Sequence, residues 1–337
     1  MKISIDAGAL CTKHDKRFGN YVMTRNLLEM INLYEKRNTY YLYSFCPKPL
    51  WLYTGKNFIY QLLRPKTFWL STRVSLEELR FKKNIFLALN QAIPLKTQST
   101  IIAFSHGLSF WFYPQLYPDS YYAMKDQLKP MVQKSKAIIV SSIRVKREME
   151  NIFPTYRHFV VLNYGVPVDM LSYENKNRKK YFLFVGMNHL IKNIDFLVKS
   201  FKELRKDKKY SEYKLYLVGD LNRYDNRADN IFAFNNVHRD TLRQMYQEAT
   251  ALLAASWYES FNIPVLEALS QNCQVVGLES AIIPELKKYV HIVKKTEQFV
   301  EVLKEIVGGK TKEIDVKKIR EQFSWKKYIV KLTSLYQ

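Results

Sequence analysis

The stretch YFLFVGMNHLIKNIDFLVKSFKELRK, residues 181–206, decides how this chain folds. It opens on an unbroken apolar run that stops at Gly186, as expected of a strand covered on both faces and hence part of a parallel sheet. A short polar loop follows. From there NIDFLVKSFKELRK (193–206) mixes apolar residues with lysines and acids and reads as an amphipathic helix. Strand, loop and helix in this order make the first part of a βαβ unit.

The same alternation continues on both sides. Downstream come KLYLVG (214–219), NIFAFN (230–235), the helical RDTLRQMYQEA (239–249), ALLAAS (251–256), a helix from about 263, and QVVGL (274–278). Upstream are KISID (2–6), the helical GNYVMTRNLLEMINLYEK (19–36), TYYLYSF (39–45), NIFLAL (84–89), STIIAFSH (99–106), KAIIVSS (136–142), the basic helix IRVKREMENIF (143–153) and HFVVLNYGV (158–166). Between the halves, PVDMLSYENKNRKK (167–180) is polar with little periodicity and reads as a linker. The fold class is α/β, two doubly wound units in tandem, with ligands expected at the carboxyl ends of the strands.

Composition sets the bounds. The 337 residues suit two domains, and 47% hydrophobic content supplies two cores. No apolar run reaches membrane-spanning length, and MKISIDAGAL reads as a first strand, not a signal peptide. Cys11, Cys46 and Cys273 are odd in number and scattered, which argues against a disulfide framework and for a reducing, cytoplasmic setting. No CxxC or HExxH spacing marks a metal site. The formal charge of +22 is shared by both halves. A nucleic acid, an anionic membrane surface, a phosphorylated ligand or a lysine-rich solvated surface would each account for it.

A second stretch carries the chemistry: YESFNIPVLEALSQNCQVV, residues 258–276, where Glu259 is followed by Glu267 across Pro264. Pro264 suits the first turn of a helix and Asn262 or Ile263 its cap, Asn being the better capping residue, so Glu259 lies in the loop before the helix and Glu267 in its early turns. The free N–H groups between them form an anion site. At about 1.5 Å per residue the carboxylates stand on the order of 10 Å apart, which suits two ends of one elongated ligand. Spacing alone is equally met by a helix-dipole charge at Glu259 and an ion pair at Glu267.

ESFNIPVLEAL resembles the E-x7-E signature of the retaining GT4 family of GT-B glycosyltransferases, with Asn262 where Gly is usual. YFLFVGMNHLIKN resembles the same family's strand and lysine loop, with Ile191 in place of the usual arginine and Met187 at another slot that is basic in some members. The resemblance implies two Rossmann-like domains facing a central cleft. Residues 1–168 would bind the acceptor, 169–318 the nucleotide sugar, and 319–337, with Trp325, would be a helix returning to the first domain. It implies that Glu259 contacts the donor sugar, Glu267 holds the ribose, and Ser260, Phe261, Asn262 and Ile263 offer backbone N–H groups to the diphosphate. Lys192 would bind that diphosphate beside Gly186, and Gly219 and Val237 would lie near the base.

In the first half, NIFLALNQAIPLKTQSTIIAFSHGLS resembles the family's acceptor-side pattern. It places Asn90 and His106 at the site, with Leu87 for a first His and Gly107 for an Asp. The loop DAGALCTKHDKRFGNYV resembles the family's glycine loop through Gly8 or Gly19, and His14, Lys16 and Arg17 make it basic. The catalytic set implied is Glu259, His106 and Lys192. No D-x-D triplet occurs, which fits metal-independent handling of the diphosphate and no cofactor.

The activity implied is a retaining hexosyl transfer from a nucleotide-diphosphate sugar to a hydroxyl of a glycan or lipid-linked glycan. The setting implied is cell-surface polysaccharide synthesis, and the basic charge would give such an enzyme a place on an anionic membrane surface. Two other readings stand beside it: a glycosyltransferase-like scaffold without activity, and a basic nucleic-acid-binding protein, although nucleic acid is not the expected partner.

Overall fold

The computed structural model describes residues 1–12, 19–174 and 176–337. His14, Lys16 and Arg17 of the basic loop lie outside the described residues. The chain divides into two compact units, Met1–Tyr164 with Trp325–Gln337, and Gly165–Ser324.

In the first unit, apolar runs make seven parallel strands: β1 (Lys2–Asp6), β2 (Thr39–Ser44), β3 (Phe58–Leu62), β4 (Ile85–Ala88), β5 (Thr100–Ser105), β6 (Ser135–Val140) and β7 (Phe159–Val161). Their order is β3-β2-β1-β4-β5-β6-β7. Ile3 lies between Tyr40 and Ile85, and Ile3 and Ile5 are fully buried, as a strand covered on both faces requires. The helices are α1 (Gly19–Tyr34), α2 (Ser75–Arg80), α3 (Ser109–Phe112), α4 (Tyr121–Lys134) and α5 (Ile143–Ile152). In the aromatic run after β5, Phe110 joins the core, whereas Phe112 is exposed.

β3, α2 and α4 were not legible as periodic stretches. β3 is an edge strand with three half-buried residues in its middle. α4 buries only Leu128, Met131 and Val132 and carries Pro130 inside, where a helix normally breaks.

One expectation is corrected here. Cys11 and Cys46 form a disulfide, with their Cα atoms 5.5 Å apart. β1 and β2 are parallel neighbours, so the loops after them emerge side by side and bring together cysteines that are distant in sequence. The cysteine argument for a reducing compartment falls with it. Cys273 is buried and free. Among the described residues no helix is long and apolar enough to cross a membrane.

The second unit repeats the plan with β8 (Lys179–Val185), β9 (Lys214–Val218), β10 (Ile231–Phe234), β11 (Ala249–Ala254), β12 (Val275–Leu278) and β13 (His291–Val293), in the order β10-β9-β8-β11-β12-β13. Its helices are α6 (Ile194–Arg205), α7 (Arg239–Glu248), α8 (Ile263–Ser270), α9 (Phe299–Val307) and α10 (Val316–Gln322); α11 (Trp325–Ser334) belongs to the first unit. α6 forms where the sequence predicts a helix, and its Ile194, Leu197, Phe201 and Leu204 share one core with Phe182 and Phe184 of β8.

The segment 167–180 is not a linker. Val168–Met170 form a 3-10 turn in which Met170 is fully buried, and Asp169 pairs with Arg239, so this stretch is built into the second unit.

Both sheets reverse their strand order once, at β1/β4 and at β8/β11. At such a point the neighbouring crossovers run to opposite faces and leave a crevice at the carboxyl ends.

Candidate functional site

The crevice of the second unit lies where the loops after β8 and β11 meet. The β8 loop turns through a 3-10 helix, Leu190–Lys192, and enters α6 at Asn193, whose left-handed φ of 55° is tolerable for Asn. The indole-bearing Trp257 donates its backbone N–H to Ile191 O (2.8 Å), tying the two loops together. Lys192 Nζ then reaches Glu259 Oε1 at 2.6 Å, and the Ser256 hydroxyl donates to the same oxygen at 2.7 Å. A small recess lies here, lined by Lys192, Ser256, Glu259, Asn262 and Pro264 with apolar residues of β8 and β11. Ile191, standing where a second cation was expected, is buried, and Met187 is exposed at the loop's tip.

α8 starts as its sequence predicts, with Asn262 at the cap and Pro264 in the first turn. Asn262 does not cap with its side chain, however. Its φ of 65° and ψ of 72° turn the amide away, and Nδ2 donates to Ala281 O at 3.0 Å. The first turn of α8 is thus left without a side-chain cap, beside Glu259. Ser260 and the half-buried Ile263 flank it, whereas Phe261 is core and packs edge-on to Phe323.

Gly186 and Gly219 end neighbouring strands. A Cβ on Gly219, whose φ is +146°, would stand 2.0 Å from Gly186 O, so the backbone of the β8 loop occupies the space a side chain needs. At Gly186 an added Cβ would meet only the Phe184 ring, at 2.9 Å. Val237, between β10 and α7, is half-buried.

Glu267 is apart from Glu259 in its partners. Its side chain is 3% exposed, Oε1 accepts from Arg239 (2.6 Å) and Oε2 from the Tyr246 hydroxyl (2.9 Å). Arg239 also makes a two-pronged pair with Asp169, at 2.8 and 2.9 Å. Burial works against the Arg239 charge, but Glu267 and Asp169 outweigh it and raise its pKa. A carboxylate offers about four acceptor positions, so two remain on Glu267 after these bonds.

Residues 179–322 match the family described as Glycosyl transferases group 1. This part of the chain is similar to the group 1 glycosyltransferases. A wider stretch is 24% identical over 231 residues to the O-antigen chain mannosyltransferase RfbU of Salmonella typhimurium, covering 65% of this chain and 62% of that relative's length. Two solved structures resemble nearly the whole chain. A sucrose-phosphate synthase from Thermosynechococcus elongatus has a TM-score of 0.76 at 12% identity, covering 99% of this chain and 98% of its own. The Anabaena protein HepE in complex with UDP and glucose has a TM-score of 0.73 at 10% identity, again covering 99% and 98%. The fold is that of the GT-B glycosyltransferases.

Within residues 179–322, sequence reasoning missed Arg239, Tyr246 and Ser256. A signal existed for Arg239: it opens α7, where the helix dipole disfavours a cation, so its placement needs another reason. His189 was also missed. Its Nδ1 accepts from Ile191 N at 3.1 Å, and burial and then Lys192 hold its pKa below the usual histidine range.

Asn90, His106 and Gly19 belong to the first unit. At the β1/β4 reversal Asn90 Nδ2 donates to Asp6 Oδ2 at 2.8 Å, and Gly8 N–H donates to Oδ1 at 3.0 Å. Asp6 was not singled out from the sequence. Burial pushes its carboxyl up to about 6 despite these donors. Gly19, with φ +27°, starts α1 and has open space around it; Gly107, with φ +108°, follows His106.

His106 is held from both ring nitrogens. Burial pushes its imidazole down to about 4, so the ring is neutral. Nε2–H donates to Leu89 O, and Nδ1 accepts from the Tyr164 hydroxyl at 3.0 Å. These bonds fix the loop after β5.

Proposed function

We propose that this chain is a retaining glycosyltransferase that moves a sugar from a nucleoside-diphosphate sugar to a hydroxyl of a cell-surface glycan or its lipid-linked precursor. The observation that carries the reading is the Lys192–Glu259 pair beside the start of α8, which the Asn262 side chain does not cap, at the crevice where the strand order reverses. Such a place suits a diphosphate: a cation from one loop and helix N–H groups from the other converge on the leaving oxygens. Lys192 would exchange its Glu259 contact for the diphosphate, which frees the carboxylate for donor-sugar hydroxyls. Glu267 would take the ribose through its two remaining acceptor positions.

In the reaction the bond from the anomeric carbon to the diphosphate breaks and a bond to the acceptor oxygen forms on the same face. The acceptor proton passes to the departing diphosphate, so His106 is not needed as base. Charge at the leaving group is met by Lys192 and α8 without a required divalent cation. The likeness to an O-antigen mannosyltransferase makes GDP-mannose the first donor to try. The basic surface would hold the enzyme against an anionic leaflet; pelleting with anionic vesicles but not neutral ones is the expected behaviour.

Calorimetric titration with GDP-, UDP-, dTDP- and ADP-sugars, with and without Mg²⁺, tests the reading. One nucleotide class should bind without metal, and Lys192→Ala should weaken it at least tenfold. Binding of none would favour a scaffold without activity.

A further inference from the structure

A second cavity, of about 360 Å³, lies against one face of the first unit's sheet. That is within the size range of small-ligand sites. Parallel partners share a face, and Ser4 pairs with Tyr41 and Tyr43 with Gln61, so Lys2, Tyr41 and Gln61 stand on one face. The segment Phe81–Lys83, between α2 and β4, closes it. Lys2 begins β1 whereas Gln61, through Tyr43, stands level with Asp6 at its end, so the cavity runs obliquely across that face.

Its lining is chemically specific. Lys83 is 5% exposed, and its ammonium lies 4.5 Å from the Tyr41 ring centre and 5.7 Å from that of Phe81, with one hydrogen bond to Phe81 O at 2.7 Å. Among the described residues no carboxylate comes within ion-pair distance of Lys2, Lys82 or Lys83, although Lys146, Lys179, Lys192, Lys202 and Lys287 all have one. Glu77 and Glu78 act on Lys83 only at longer range. The Glu78 oxygens are taken by Tyr43, Thr97 and Ser99. Gln61 Oε1 is enclosed with no donor, a costly state unless something supplies one.

We propose that this cavity is a second, non-catalytic binding site for an anionic sugar unit. Its carboxylate or phosphate would sit among Lys2, Lys82 and Lys83, and the ring would lie against Phe81 and Tyr41. Three ammonium groups without carboxylate partners call for an anion, and the aromatic wall calls for a flat body. The site does not depend on the transferase reading.

Titration of the full chain with glucuronate, glucose 6-phosphate, glucose and inorganic phosphate tests it. Glucuronate or glucose 6-phosphate should bind at least tenfold tighter than glucose and fivefold tighter than phosphate; which of the two binds tighter identifies the anionic group. Lys83→Met, which keeps the stem over the rings, should weaken that ligand at least fivefold. The exposed Lys82→Ser should do so with an unchanged melting temperature. Phosphate binding as tightly as the sugar phosphate would mean an adventitious ion only and overturn the proposal. So would no binding, or variants that bind like wild type, which would leave Lys83 as a distant counter-charge to Glu78.

Discussion

Gly219 shows how one residue can hold a site it does not touch. Its φ of +146° is strained for any side chain, and the missing Cβ is where Gly186 O sits. Gly219→Ala must displace the loop that carries Lys192, at a cost of about 3 kcal/mol. The expected result is a lower urea midpoint together with weaker nucleotide binding; an unchanged midpoint would mean the two loops are not tightly packed. The Arg239 cluster makes a second prediction at this scale. Arg239→Met strands the Glu267 carboxylate, with Tyr246 as its remaining partner, and should cost about 3 kcal/mol. Asp169→Asn removes only the more exposed arm and should cost under about 1 kcal/mol. Equal losses in urea unfolding would show that the network is not organised around Glu267.

At the scale of elements, α8 is the piece whose start and cap position were legible, while the use its cap residue makes of its side chain was not. Ser-, Asp- or Asn-type residues before Pro suggest a capping side chain, but Asn262 is left-handed and spends its amide on Ala281. Asn262→Gly keeps the backbone conformation and loses one hydrogen bond, for about 1 kcal/mol, and should leave nucleotide binding within threefold. Asn262→Ala adds left-handed strain and should cost about 2 kcal/mol or more. A thermal melt in which Ala is tolerated as well as Gly would place the φ elsewhere. α4 was missed for a plain reason: three buried residues and an internal proline leave little helical signature, and packing on the sheet supplies what propensity lacks.

For the whole molecule, the first unit carries two buried groups that titrate in opposite senses. Asp6 binds its proton more tightly when folded, at about 6 against 3.8, so its contribution is fully present below pH 3.8 and lost as pH rises through 6. His106 binds its proton less tightly, at about 4 against 6.5, so its contribution is present above 6.5 and lost as pH falls toward 4. Between pH 4 and 6 the two offset. Asp6→Asn unmasks the balance: relative to wild type it should gain about 3 kcal/mol as pH is raised from 3.8 to 6.5. Chemical denaturation at a series of pH values reads this directly, and a constant difference would remove the raised carboxyl.

The sequence by itself determined the alternation of strands and helices, the glycine and lysine loop after β8, and the proline-started helix that follows Glu259. These are local matters, set by periodicity and by backbone limits within a few residues. Only the tertiary structure decided which loops meet. Lys192 and Glu259 are 67 residues apart and touch because β8 and β11 are neighbours, and Cys11 meets Cys46 because β1 and β2 are. Arg239, Asp169 and Glu267 come from three separate elements, and the lysine-lined cavity draws on β1, β2, β3 and the segment before β4. Strand order is a long-range property with no periodic trace along the chain, so the partners of each charged group became visible only once the sheets were assembled.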